Sequence, residues 1–165
     1  MVFSSTIFLF VFLPITLLGY YLIKGNYKNY WLLVVSLIFF GWSQPNYLWI
    51  ILLNIIINYS CAVLIDDVKT LQKPLLVVTV AANLAILFYF KYFNFVEDSI
   101  NKVLGADLQI VEIILPIGIS FFTFQGMSYV IDVYRKDVPV QKNIFKLALY
   151  TVLFPQLIAG PIVRY

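Results

Sequence analysis

The charged residues of this chain fall in short clusters separated by long uncharged runs, and that spacing constrains the fold more than any single motif. Residues 1–23, 29–65, 74–90, 113–131 and 147–163 contain no Asp, Glu, Lys or Arg. A helix needs roughly 20 predominantly apolar residues to cross a bilayer core. The runs are of that order, and the 29–65 run exceeds it. A soluble domain is about a quarter charged; this chain is 12% charged and 62% hydrophobic, with mean hydropathy +0.94. Folded in water it would leave large apolar patches exposed. The pattern predicts an all-α, polytopic transmembrane helix bundle of about six membrane segments, with the lipid bilayer as its solvent.

Local chemistry divides the runs. Gly41-Trp42-Ser43-Gln44-Pro45-Asn46 is turn chemistry inside the longest one. The expected spans are therefore about 3–23, 30–42, 46–65 and 74–91. The first is expected to be retained, because no basic residue precedes its long core and Leu17-Leu18-Gly19-Tyr20-Tyr21 makes a poor signal-peptide cleavage site. Between about 92 and 104, apolar Phe93, Phe95, Val96, Ile100, Val103 and Leu104 alternate at helical spacing with Asn94, Glu97, Asp98, Asn101 and Lys102. That pattern fits an amphipathic helix lying in the interface or an extension of the preceding span. Two further segments, about 109–134 and 143–163, are broken, by Pro116 and Gly118 and by Pro155, Gly160 and Pro161. Irregular backbone at membrane depth is tolerated only where protein or a water-filled cavity surrounds it.

Loop charges set a topology. Lys24 and Lys28, then Lys69 and Lys73, then Arg135, Lys136, Lys142 and Lys146 fall in alternate loops, eight basic residues against two, Lys91 and Lys102, in the others. The positive-inside rule puts the eight in the cytoplasm and the N-terminus outside.

Polar residues within the broken segments are the candidate site. On a helix over 118–135, Gln125, Ser128, Asp132 and Arg135 share about one quadrant, and such a stripe faces a bundle interior or an aqueous cavity. Asp132 and Arg135, at i and i+3, are spaced to pair, or else to mark the cytoplasmic end of the helix. Gln125, deeper in the run, suits interhelical hydrogen bonding. Gln156 and Arg164 flank the second break, where Arg164 could meet an anionic group. These six are candidates for lining a tunnel or substrate path, or for structural roles. Other chemistry is excluded. With no histidine anywhere, there is no His-based metal site and no His general base. Cys61, alone, makes neither a disulfide nor a zinc cluster. No phosphate-binding glycine loop or G-x-S-x-G elbow is present, and the basic residues are too dispersed for nucleic acid. Asp66-Asp67 beside Lys69 and Lys73 reads as a solvated loop. No metal is expected.

The segments LPIGISFFTFQGMSYVIDVYR (115–135) and FPQLIAGPIVRY (154–165) resemble the membrane-bound O-acyltransferase (MBOAT) family. The opening MVFSSTIFLFVFLPITLLGYY resembles its bacterial, alginate O-acetyltransferase-like branch. The resemblance covers essentially the whole chain, in order, as an N-terminal part of a single transmembrane acyltransferase domain spanning 1–165, an incomplete fold of the family. It implies a bundle with a tunnel through the membrane and transfer of an acyl group, acetyl in this branch, to hydroxyls of an extracytoplasmic polysaccharide. It further implies an acyl thioester donor with no cofactor bound, the remaining C-terminal part of the enzyme and an extracytoplasmic acetylation partner protein as partners, and the bacterial cytoplasmic (inner) membrane as location. The family's catalytic histidine lies downstream of these motifs and has no counterpart here. Asp132 and Glu112, the carboxylates available to replace it, lie near predicted membrane boundaries with no visible nucleophilic partner, so the chain alone is expected to be inactive. A non-enzymatic membrane protein, such as a transporter half or assembly subunit, is the alternative reading of the broken helices.

Overall fold

A computed structural model describes residues 5–25, 27–104, 113–159 and 164–165. Among them the chain is all-helical: α1 (Leu13–Leu22), α2 (Tyr27–Ser43), α3 (Leu48–Asp67), α4 (Gln72–Leu104), α5 (Ile119–Arg135), α6 (Ile144–Val152) and α7 (Phe154–Ala159). A π-helical stretch, Phe8–Phe12, leads into α1. Pro14 at the start of α1 explains it: proline has no N–H for the carbonyl one turn back, and wider i→i+5 bonding absorbs the mismatch. The expected turn at 41–46 is a single non-helical residue, Gln44, followed by a 3-10 turn over Pro45–Tyr47.

Two stretches, Pro45–Asp67 and Lys69–Val103, are long and apolar enough to cross a membrane. Core helices of soluble proteins pass the same test, but in an apolar 18-residue window of each only 39% and 17% of the residues are buried within the fold. Phe10 is 75% exposed, Leu22 77% and Val103 82%. Such side chains favour hydrocarbon over water by about 2 kcal/mol each, and the chain is a membrane protein.

Contacts fix the directions of the helices. The α2–α3 turn meets the segment before α5 through Gln44, and Tyr47 packs edge-on to Phe90 of α4 at 6.1 Å. At the opposite end Tyr59 of α3 donates to the Lys142 carbonyl, the Gln141 amide donates to Tyr129 of α5, and Tyr30 of α2 meets Phe145 of α6. Successive helices α2 to α6 therefore alternate in direction. The loops carrying Lys24 and Lys28, Lys69 and Lys73, and Arg135 to Lys146 gather at one end.

Residues 92–104 extend the preceding span, the second of the two readings above, and do not form a separate interfacial helix: α4 runs unbroken from Gln72 to Leu104, and no Pro or Gly follows Pro74 in its first turn. The 109–134 segment is helical from Ile119, with residues 113–116 irregular and 105–112 outside the described residues. The 143–163 segment does not continue straight across. Helix α6 has nine residues, about 14 Å of rise, less than half a bilayer core. Pro155 follows, and Leu153 at φ −54°, ψ 113° leaves the helix, as the missing proline N–H requires. By Tyr165 the chain is back beside α6, its ring centroid 4.9 Å from those of Tyr150 and Tyr129 and its hydroxyl accepting from Gln141 Nε2 at 2.6 Å.

Helix α5 lies at the centre, packed on α3 and α4 and touching α6. Ile119, Phe122, Tyr129 and Val130 are buried in two apolar clusters with Ile51 and Ile55 and with Ala62 and Ile65. Phe8, Phe39 and Phe154, with Phe12, form a third.

Candidate functional site

The irregular backbone before α5 is held by side-chain amides. Asn94 brackets Ile113, its Oδ1 accepting from the Ile113 N–H at 3.0 Å and its Nδ2 donating to the carbonyl at 2.8 Å. Gln44 Oε1 accepts from the Ile117 N–H at 2.7 Å. These bonds supply the partners that apolar surroundings deny a non-helical chain. Pro116 is buried, and Gly118 sits at φ 74°, a left-handed conformation natural to glycine, from which its carbonyl accepts the Phe122 N–H.

A polar belt runs through the interior. Asn54 and Asn58, one turn apart on α3, meet Asn83 of α4, and all three are buried. Asn54 Nδ2 donates to Asn83 Oδ1 (2.7 Å), and Asn83 Nδ2 donates to Asn58 Oδ1 (3.0 Å) and to the Thr79 carbonyl (2.8 Å). Asn58 Nδ2 reaches the Asn54 carbonyl at 2.8 Å. Gly126 of α5 lies against this triad, and a Cβ there would sit 2.6 Å from Asn58 Nδ2. The triad contains no base or nucleophile; its amides satisfy one another, tie α3 to α4, and leave room for α5 only at Gly126. Sequence reasoning missed it, although three asparagines inside uncharged runs were a visible signal.

The predicted residues divide between structural and unsatisfied roles. Gln125 is buried, and its Nε2 donates to the Tyr150 carbonyl at 2.8 Å. That carbonyl is left over because the helix breaks at Leu153 and the Phe154 N–H turns to Ser36 Oγ at 3.4 Å. Gln125 thus satisfies a group orphaned by the Pro155 break. Gln125→Leu strands that carbonyl, and we expect a loss of about 1–3 kcal/mol of unfolding free energy, read by detergent unfolding, with faster amide exchange in α6. Unchanged exchange there would exclude the role.

Asp132 does not pair with Arg135. Arg135 is exposed and bonds Asp137 at 3.2 Å. Lys136, at φ 63°, ends α5 in a left-handed cap whose turn brings Asp137 round, with the Asp137 N–H on the Asp132 carbonyl at 2.9 Å. Asp132 is buried, and its Oδ2 has no hydrogen-bond partner among the described residues; the same holds for Gln156 Nε2 and Thr123 Oγ1. Ser128 is half-buried, and Arg164 and Pro155 are exposed. Glu112, Gly160 and Pro161 lie outside the described residues. No group of three potential metal ligands occurs among the described residues. The described residues offer unpaired polar atoms on α5 (Thr123, Asp132) and α7 (Gln156), and no assembled base–nucleophile pair.

No family model and no solved structure matches the chain. Curated relatives do. It is 42% identical over 172 aligned residues to the probable alginate O-acetylase AlgI of Pseudomonas putida, covering 100% of this chain and 36% of that protein. The probable alginate O-acetylase AlgI of Pseudomonas aeruginosa is 41% identical, with 100% and 33% covered. The peptidoglycan O-acetyltransferase of Helicobacter pylori is 30% identical over 196 residues, with 100% and 37% covered. The chain spans about a third of the length of these relatives. It is thus, over all of its residues, a homologue of the alginate O-acetylases of the membrane-bound O-acyltransferase family, and corresponds to about one third of such a protein.

Proposed function

We propose that this chain is the N-terminal scaffold part of a polytopic inner-membrane O-acyltransferase that moves acetyl from a thioester donor to hydroxyls of an extracytoplasmic polysaccharide, in concert with an extracytoplasmic partner protein. The observation that carries the reading is 42% identity along the whole chain to an alginate O-acetylase. The gathering of the basic loops at one end supports placing that end in the cytoplasm and the N-terminus outside.

Acyl transfer to a hydroxyl needs a base for the proton and donors for the developing oxyanion. The chain contains no histidine, and Asp132 Oδ2 is hydrogen-bonded to no hydroxyl or thiol among the described residues. The part supplied here is architecture: α3 and α4 tied by the asparagine triad, with α5 packed on it at Gly126, and the break after α6 held by Gln125 and Ser36. The purified 165-residue chain is therefore expected to transfer no acetyl above background. Co-expressed with the remaining two-thirds of an alginate O-acetylase, it is expected to restore polymer O-acetylation to a strain lacking that enzyme. Acetyl transfer by the chain alone, or no restoration despite a stable complex, would refute the assignment.

A further inference from the structure

The basic end carries a feature separate from the buried polar residues of α5. Helices α2 and α6 begin side by side there, and Asn29, Tyr30, Asn143, Phe145 and Lys146 line a cavity of about 150 Å³ between them. Its polar groups are an ammonium, a phenol and two amides. Asn143 Oδ1 is already committed to the Phe145 N–H at 2.9 Å, which leaves its Nδ2 free to donate. Asn29 and Lys146 are exposed.

About one turn deeper along α2, at Leu32, an apolar groove of about 440 Å³ opens between α1, α2 and the break before α7. Leu13, Leu17, Leu32 and Phe154 line it, and its one hydroxyl, on Thr16, is spent on the Phe12 carbonyl at 2.8 Å. At its mouth Lys28 Nζ lies 4.7 Å from the centre of the Tyr20 ring, which also lines the groove.

Lys24, Lys28, Lys142 and Lys146 stand apart in sequence from the carboxylates of this end, Asp66, Asp67 and Asp137. No Asp or Glu occurs in residues 1–65 or 138–165. The salt bridge found among the described residues, Arg135–Asp137, involves none of Lys24, Lys28, Lys142 or Lys146. A polar cavity carrying Lys146, and about one turn along α2 an apolar groove with Lys28 over its Tyr20, match the layout of a lipid: an anionic headgroup at the level of the lysines and a hydrocarbon chain below.

We propose that this face binds one anionic phospholipid, with its phosphate in the Asn29–Lys146 cavity and an acyl chain in the groove along α1 and α2. The test uses the 165-residue chain in nanodiscs, extracted gently and read by native mass spectrometry. Phosphatidylglycerol should be retained about fivefold or more over phosphatidylcholine, since each lysine near the surface adds about 1 kcal/mol of attraction. Lys28→Gln/Lys146→Gln should bring the ratio near one, while Lys69→Gln/Lys73→Gln, at the same end but outside the cavity, should leave it unchanged. A second readout does not need those variants. Trp31 donates to the Thr16 carbonyl at 3.0 Å beside the groove. In a Trp42→Phe/Trp49→Phe background, its fluorescence should be quenched by chain-brominated phosphatidylglycerol and much less by the brominated choline lipid. Equal retention and equal quenching by both lipids would overturn the proposal. So would displacement of the lipid by inorganic phosphate, which would make the cavity a site for a soluble anion.

Discussion

Replacing Gly126 by alanine is expected to lower the unfolding free energy of the chain in detergent by about 3 kcal/mol, through overpacking and the loss of buried hydrogen bonds. The added Cβ would lie 2.6 Å from Asn58 Nδ2, 2.9 Å from Asn58 Cγ and 3.1 Å from Asn54 Oδ1. It cannot be accommodated by swinging one flexible end away, because the Asn58 amide is tied to Asn54 and Asn83 at once. Either α5 moves off α3, opening the apolar contacts of Phe122 and Val130, or the triad breaks and leaves amides unpaired in apolar surroundings. Two comparisons isolate the cause. Gly41→Ala, whose Cβ would meet only Leu48 Cδ2 at 3.9 Å, should be neutral or stabilising by up to about 1 kcal/mol, since alanine favours helix over glycine. In an Asn58→Ala background, Gly126→Ala should cost markedly less, because the atom it strikes is gone. Equal costs in the two backgrounds would show that the triad is not what Gly126 accommodates.

Gly19→Ala is the second large effect, and it should be local. The Trp31 indole packs against Gly19, so a Cβ there would collide with its ring atoms, and the Trp31 Nε1–H bond to the Thr16 carbonyl would be lost with the displaced ring. Helix α1 rests on α2 largely through this contact and the phenylalanine cluster, and its outer face is exposed. We expect a loss of about 2–4 kcal/mol in the α1–α2 packing. It should be read as faster amide exchange across 13–22 and a shift in Trp31 emission, with α3–α5 exchanging as before. Trp31→Leu in the same chain should recover most of the protection. Accelerated exchange spread evenly over all helices would contradict the assignment of Gly19 to this one interface.

Much of the helical layout is legible in the sequence. Uncharged runs located the helices, Pro45 and Pro155 located breaks, and Gly118 marked the start of α5. These are local properties: a proline lacks its N–H wherever it sits, and a run of apolar residues avoids water whatever it packs against. The charge alternation was legible for the same reason, and the gathering of Lys24, Lys69 and Lys142 at one end agrees with it.

The candidate site was legible only in part. Gln125 was recognisable as a polar group needing an interhelical partner, but its acceptor, the Tyr150 carbonyl, exists as an orphan only because the chain breaks 28 residues further on, at Leu153. The spacing of Asp132 and Arg135 permitted a pair, yet the left-handed cap at Lys136 delivers Asp137 to the arginine instead. The asparagine triad joins positions 29 and 25 residues apart, and the return of Tyr165 to Tyr129 and Tyr150 follows no periodicity. Partition between lipid and water acts on each residue where it stands in the chain, so spans and breaks can be read in one dimension. Which amide meets which depends on distances between helices that do not exist until the helices have packed.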